Sequence, residues 1–276
     1  MGSMEDLDFT SGSAKSGIYD PAVARACFQS LGKVEIISQG GNFFIENQGS
    51  DRMYLLIEGE VSLFRGKKAL DVVKAGEIFG EMAAISDSPR SASAVARSAC
   101  RVIALDDKQF YAALQKKPEF ALMMLGTLIQ RLHGMIAKLS GVPTAETKES
   151  RVFDKKLLAS LQAGLGDQAM VRYDRGKVIM VAGQTGALMY VVLEGRVAIS
   201  IRGAVIERVG PGGVFGEMAL VDQSPRSANA AAEADCALLA INRAVFLSLV
   251  KSDPTFGISL LSSMAERVRN TAAGSS

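Results

Sequence analysis

The sequence predicts an α+β protein, mainly β, built as two tandem antiparallel rolls, each bracketed by helices. Two observations carry this. Phe79-Gly80-Glu81-Met82-Ala83 with Pro89-Arg90-Ser91-Ala92 returns as Phe215-Gly216-Glu217-Met218-Ala219 with Pro225-Arg226-Ser227-Ala228, and Glu217 follows Glu81 by 136 residues. The same offset aligns Met53-Tyr54 with Met189-Tyr190, Gly59 with Gly195, Gly76 with Gly212, Cys100 with Cys236, Phe110 with Phe246, Pro118 with Pro254 and Arg131 with Arg267. An offset held without slippage over so many landmarks marks the duplication of a whole domain, and the period is too long for a solenoid unit. Each copy therefore needs its own core.

Within the first copy, short β-rich runs come first: Val34–Ser38, Phe43–Glu46, Met53–Glu58, Val61–Arg65 and Leu70–Val73, then Ser93–Arg97 and Val102–Leu105. Glycine-containing turns at Gly40-Gly41, Gly59, Gly66 and Gly76 separate them, as in a compact antiparallel barrel or roll. Asp20-Pro21 opens a short amphipathic helix, with Pro at the first helical position. After the roll, Asp107 is expected to cap a helix running to Lys116. Pro118 starts a longer one whose Phe120, Met123, Met124, Leu128, Leu132, Met135, Ile136 and Leu139 form a broad apolar stripe. That stripe fits a core face or the seam of a homodimer. Asn242, Asp253 and Pro254 repeat the helix signals, with Leu260, Leu261, Met264 and Val268 as the second stripe.

The expected organisation is a disordered segment over 1–17, a first domain over 18–140, a linker over 141–149 and a second domain over 150–272. Composition sets outer limits: 276 residues suit about two domains, and 48% hydrophobic residues suffice for two cores. No apolar run approaches the roughly 20 residues that cross a bilayer, and the first residues lack a signal-peptide pattern. With 31 Lys+Arg against 29 Asp+Glu, no bulk field favours nucleic acid or a membrane surface. Three cysteines without paired spacing argue against disulfides or zinc and suit a reducing compartment, so a cytoplasmic location is expected. The single histidine, His133, has no clustered carboxylates or thiolates near it in sequence, and neither a metal site nor a catalytic residue is expected.

The repeated loops carry the chemistry. Gly80 and Gly216 stand where a strand end turns into a short helical segment, and the missing Cβ lets main chain approach a ligand closely. The first amides of such a segment lack internal partners and form an anion site. An Arg nine positions after the Glu can close over that site with a paired donor fork, which assigns phosphate to Arg90 and Arg226. A carboxylate is a poor phosphate ligand but a strong acceptor for hydroxyls, so Glu81 and Glu217 suit a ribose 2′-hydroxyl while pairing with the nearby Arg. Ser91 and Ser227 add a hydroxyl beside the phosphate.

These residues resemble the phosphate-binding cassette of cyclic nucleotide-binding domains over roughly 18–140 and 150–272. Both copies also have the strand signature of that family, Tyr54-Leu55-Leu56-Ile57-Glu58-Gly59-Glu60-Val61 and Tyr190-Val191-Val192-Leu193-Glu194-Gly195-Arg196-Val197. The resemblance implies eight-stranded, jelly-roll-like β-rolls. It implies ligand contacts from Phe79, Gly80, Glu81, Met82, Ala83, Arg90, Ser91 and Ala92 in the first copy, and from Phe215, Gly216, Glu217, Met218, Ala219, Arg226, Ser227 and Ala228 in the second. It also implies helices after each roll that move with occupancy. Lid residues for the purine are expected among Leu128, Arg131, Leu132 and Met135, and among Leu261, Met264 and Arg267.

Ser after the cassette Arg keeps cGMP open as ligand. The Arg-Ser-Ala of bacterial regulators resembling the catabolite activator also accompanies cAMP, and cAMP is the expected ligand, with no resident cofactor. The expected function is a non-enzymatic sensor that passes occupancy to an effector protein of unknown identity. The tandem arrangement is similar to that of the cAMP-dependent kinase regulatory subunit. It departs from it in lacking an Arg-Arg-x-Ser-like inhibitor segment, and no helix-turn-helix pattern follows residue 272. The alternative is a cyclic-nucleotide-dependent transcription regulator without a recognisable DNA-binding domain, for which Arg267 and Arg269 are the only basic hint.

Overall fold

The computed structural model describes residues 19–49, 51–138, 152–221 and 225–273, without the side chains of 133–138 and 271–273. The expected N-terminal segment over 1–17 and linker over 141–149, and the side chains of His133, Met135 and Ile136, lie outside that description. By compactness the chain divides into two units, Met1–Ser140 with Val250–Ser276, and Gly141–Leu249.

In the first unit α1 (Pro21–Leu31) leads into β1 (Lys33–Ile37), β2 (Asn42–Phe44), β3 (Met53–Glu58), β4 (Glu60–Arg65), β5 (Lys68–Lys74) and β6 (Ile78–Phe79). Next come α2 (Glu81–Ser86), β7 (Ser93–Ala96), β8 (Cys100–Leu105), α3 (Asp107–Lys116) and α4 (Glu119–Lys138). The strands form two four-stranded antiparallel sheets, β1-β8-β3-β6 and β2-β7-β4-β5. This is the eight-stranded roll the resemblance implied. Alternation explains its core: in β4, Val61 and Leu63 point inward while Glu60 and Ser62 are only half-buried. Val61 and Leu63 meet Leu56, Phe79, Ala94 and Val102 inside the roll.

Asp20 caps α1 as expected, its Oδ1 accepting from the amides of Ala22 at 2.8 Å and Val23 at 3.3 Å. The cap of α3 is Asp106, one residue earlier than expected. Its carboxylate accepts from Gln109 N at 2.8 Å while Gln109 Oε1 accepts from Asp106 N at 2.9 Å, so the residue three positions on decides between two adjacent aspartates. Phe120 of α4 sits edge-on to Phe28 of α1 and Phe110 of α3, with centroids 6.1 and 5.9 Å apart.

The second unit repeats the plan. α5 (Lys155–Leu165), capped by Asp154, precedes β9 (Met170–Tyr173), β10 (Val178–Met180), β11 (Leu188–Glu194), β12 (Val197–Ile201), β13 (Ala204–Val209) and β14 (Val214–Phe215). A single 3-10 turn over Glu217–Leu220 stands where the first copy has α2, followed by β15 (Asn229–Ala232) and β16 (Cys236–Asn242). The sheets are β14-β11-β16-β9 and β10-β15-β12-β13. The copies share a corner. Gly59 and Gly195, both at positive φ, stand so close to Ala99 O and Asp235 O that a Cβ would collide. Beside them Cys100 Sγ donates to Glu60 O and Cys236 Sγ to Arg196 O, each at 3.2 Å.

α6 (Arg243–Ser252) and α7 (Pro254–Ala273) follow β16, with Asn242 Oδ1 accepting from Val245 N at 2.9 Å and Asp253 Oδ1 from Thr255 N at 3.0 Å. The repeat assigned α7 to the expected domain over 150–272, whereas its packing joins it to the first unit. Its apolar stripe of Leu260, Leu261, Met264 and Val268 is buried, and the helix contacts α2, α3 and α4. No single helix among the described residues is long and apolar enough to cross a membrane.

Candidate functional site

β6 delivers the first cassette. Tyr54 pairs with Phe79 across β3 and β6, their rings stacked with centroids 5.2 Å apart, which fixes the point where the chain leaves the sheet. Gly80 then turns into α2 at φ 75° and ψ 5°. Glycine is required there twice over, because a Cβ would also lie 2.8 Å from Arg90 Nη1 and 2.9 Å from the Phe44 ring. Among the described residues no side chain caps the start of α2, which leaves its first amides without a side-chain partner.

Arg90 is held from both sides. Its backbone N donates to Gln48 O, and its carbonyl accepts from Asn47 N, each at 2.9 Å. Its guanidinium donates to Gly80 O at 2.5 Å and Arg52 O at 2.6 Å and lies 4.1 Å from the centroid of Phe44. Only 2% of the residue is exposed. Burial lowers its pKa, while Tyr54, Glu81 and Asp51 oppose that shift.

Glu81 was expected to pair with Arg90; its carboxylate instead forms an ion pair with Arg131 of α4, and both side chains are at least nine-tenths buried. Helical spacing had placed Arg131 in a set of four, and the structure singles it out by that bond. Leu128, another of the four, is fully packed.

All eight residues expected in the first cassette line one cavity of about 580 Å³, within the range of small-molecule sites. Phe44, Leu63 and Leu70 add apolar wall, and Arg131, Val268 and Arg269 close the helical side. Val268 and Arg269 were missed as lining residues, because the repeat placed them in the other copy.

The second cassette reproduces the frame with a looser fit. Gly216 takes φ 73°, and Tyr190 pairs with Phe215 with ring centroids 5.1 Å apart. Gly183 N donates to Arg226 O and Arg226 N to Gln184 O, both at 2.8 Å. These are the same positions that grip Arg90. Arg226 donates to Gly216 O at 2.9 Å and Leu188 O at 2.7 Å. Burial lowers its pKa, opposed by Tyr190 and Glu217, yet the residue is only half-buried. Met180 stands where the first copy has Phe44, so the aromatic ring under Arg90 has no counterpart at that position.

Phe215, Ala219 and Ala228 are buried, Met218 and Glu217 half-buried, and Ser227 exposed with its hydroxyl 3.9 Å from Met218 Sδ. A cavity of about 400 Å³ in this unit is lined by Ala219 alone of the eight expected residues, together with Leu220 and Arg243. The structure thus gathers the first set around one space and does not gather the second set around this one.

Gly186 packs so closely under Arg226 that any Cβ would overlap the guanidinium. Gly186→Val is expected to push that side chain off Gly216 O and Leu188 O. Calorimetry in an Arg90→Ala background should then show the remaining nucleotide affinity falling at least tenfold, as for loss of a charged donor pair; unchanged affinity would rule the displacement out.

Among the described residues no group of three or more His, Cys, Asp or Glu could hold a metal ion.

Residues 35–117 and 170–253 each match the family model described as "Cyclic nucleotide-binding domain". The chain is 35% identical over 191 residues to the Cyclic AMP receptor protein of Thermus thermophilus, covering 67% of this chain and 84% of that protein. It is 25% identical over 217 residues to the cAMP-dependent protein kinase regulatory subunit of Eremothecium gossypii, covering 78% of this chain and 43% of the subunit. It is 26% identical over 215 residues to human cGMP-dependent protein kinase 2, spanning 75% of this chain and only 26% of the kinase. Among solved structures, the regulatory domain of Toxoplasma gondii PKA with cAMP is matched over 92% of this chain and 95% of that one, at 20% identity and a TM-score of 0.33. With the matched segments centred on the two rolls and enclosing both Gly-Glu and Arg-Ser cassettes, the chain belongs to the cyclic nucleotide-binding domain family and carries that domain twice.

Proposed function

We propose that the protein is a non-enzymatic cyclic nucleotide sensor that holds one 3′,5′-cyclic purine nucleotide at each cassette, with cAMP as the leading ligand and cGMP as the second. In this reading the phosphate sits at the first amides of α2 under Arg90, and Glu81 takes the ribose 2′-hydroxyl. Ser91 and Ala92 flank the phosphate; Phe215, Gly216, Glu217, Met218, Ala219, Arg226, Ser227 and Ala228 act likewise in the second copy. The observation that carries it is the convergence on one cavity of suitable volume of eight cassette residues, among them the buried Arg90 guanidinium and the buried Glu81 carboxylate. The relatives support both ligands, since they are named for cAMP or for cGMP.

Occupancy is transmitted because Glu81 is shared. A ribose hydroxyl bound to its carboxylate competes with Arg131, so the ligand biases the position of α4. The equilibrium shifts only as far as the nucleotide prefers one arrangement over the other. The output is a changed contact with an effector protein in the cytoplasm, with a homodimer as a further arrangement. Neither a resident cofactor nor a chemical step is needed, and chromatography after incubation should recover the nucleotide intact.

Titration calorimetry of the intact chain should give two binding events, and Arg90→Ala and Arg226→Ala should each remove one. Unchanged binding in both variants would sink the assignment. A second reading is control of transcription through DNA, for which Arg267 and Arg269 near the end of α7 supply the basic residues. Salt-sensitive retention on duplex DNA with a steep log–log slope would support it over effector binding.

A further inference from the structure

α7 is part of the first unit although it follows the second roll in the chain. Val268 packs against Met82 of α2 and Leu132 of α4, and its neighbour Arg269 lines the same cavity. Arg269 Nη2 donates to Ser86 Oγ at 3.3 Å, at the last residue of α2, and the Ser86 hydroxyl donates in turn to Met82 O at 2.7 Å. Arg269 Nε is buried with no hydrogen-bond partner among the described residues. Burial lowers the side chain's pKa, opposed by Glu266, and Glu266 itself is exposed. A partly desolvated guanidinium with one weak hydroxyl contact is short of acceptors, and the space it borders is the cavity.

On the cyclic nucleotide reading proposed above, the phosphate occupies the Gly80 end of α2 and the ribose lies at Glu81. α2 advances about 1.5 Å per residue, which sets Arg269 roughly a nucleoside's length from the cradle. The part of the ligand that reaches so far is the purine. Guanine presents two acceptors on its outer edge, O6 and N7, whereas adenine presents N7 beside an amino donor at N6. A guanidinium has donors only, so it meets both guanine groups and is opposed by the adenine amine.

We infer that Arg269 is a specificity-determining residue of the first cassette and that it selects guanine over adenine there, which makes the first site the exception to the cAMP-first order proposed for the chain. The inference rests on the cyclic nucleotide reading and concerns only the first site. Its test uses the full chain carrying Arg226→Ala, which leaves one cassette, titrated with cGMP and with cAMP. That protein should bind cGMP more tightly. Adding Arg269→Ala should lower cGMP affinity roughly tenfold or more and change cAMP affinity much less. Adding Arg269→Gln should reverse the preference, because a carboxamide offers both the acceptor and the donor that adenine N6 and N7 require. A cGMP-to-cAMP affinity ratio that stays constant across the three proteins overturns the inference while leaving the cyclic nucleotide reading in place, and so does an equal loss of both nucleotides, which would mark Arg269 as a phosphate contact. Absence of binding by either nucleotide to the single-cassette protein overturns both.

Discussion

Glu81→Ala is expected to destabilise the first unit by about 3–5 kcal/mol, the range for breaking a buried ion pair by removing one partner. The Glu81 and Arg131 side chains are only 7% and 10% exposed, so water cannot readily solvate the arginine that is left. Arg131 Nε already lacks a hydrogen-bond partner among the described residues, which leaves the pair with Glu81 as the main compensation for its charge. Chemical denaturation should show the loss directly. Glu81→Gln should cost less, because the amide oxygen still accepts from Arg131. A Glu81→Leu/Arg131→Met double variant should recover most of the stability while losing nucleotide binding, since a well-packed apolar pair can replace a buried ionic one. If Glu81→Ala unfolds at the same denaturant concentration as the parent protein, the pair is solvated and the shared-carboxylate route to α4 fails with it.

Arg90→Ala is expected to act on affinity and stability together. Loss of a charged donor fork should weaken first-site binding by about 1.5–3 kcal/mol or more. Removing the side chain also strands the carbonyls of Gly80 and Arg52, at about 1–3 kcal/mol for each acceptor that stays dry. Arg226→Ala should weaken its own site similarly but cost less stability, because Arg226 is half-buried and water can replace it at Gly216 O and Leu188 O. The comparison is read by calorimetry for binding and by denaturant midpoint for stability. Arg90→Lys separates the two effects: it keeps a charge near the phosphate but cannot reach both carbonyls with one ammonium. Equal stability losses at the two arginines would show that the difference in burial has no energetic weight.

The rolls were legible because strand alternation and turn glycines are local signals, and the 136-residue offset made each copy a check on the other. The first cassette was legible for a related reason: nine residues from Glu81 to Arg90 are enough to turn one helix and come back, so proximity follows from covalent spacing. What failed to show was longer in range. An apolar stripe on α7 announces that the helix packs, not which helix receives it, and the repeat supplied the wrong symmetry argument. Arg131 was visible only as one of several positions on a helical face, since no local rule says which one meets Glu81. The looser second cassette depends on Met180 standing for Phe44 and on a single 3-10 turn standing for α2, differences present in plain letters whose weight appears only when the guanidinium is placed over them.

The first unit is assembled from two stretches of polypeptide separated by the entire second roll. During synthesis the roll made earliest must therefore wait for residue 268 to leave the ribosome before Met82 and Leu132 gain their apolar cover. Closing so long a loop is slow compared with forming the rolls themselves. In the interval the nascent chain carries an uncovered greasy flank that chaperones would recognise, and the nucleotide-holding form of that roll matures only once α7 has been made.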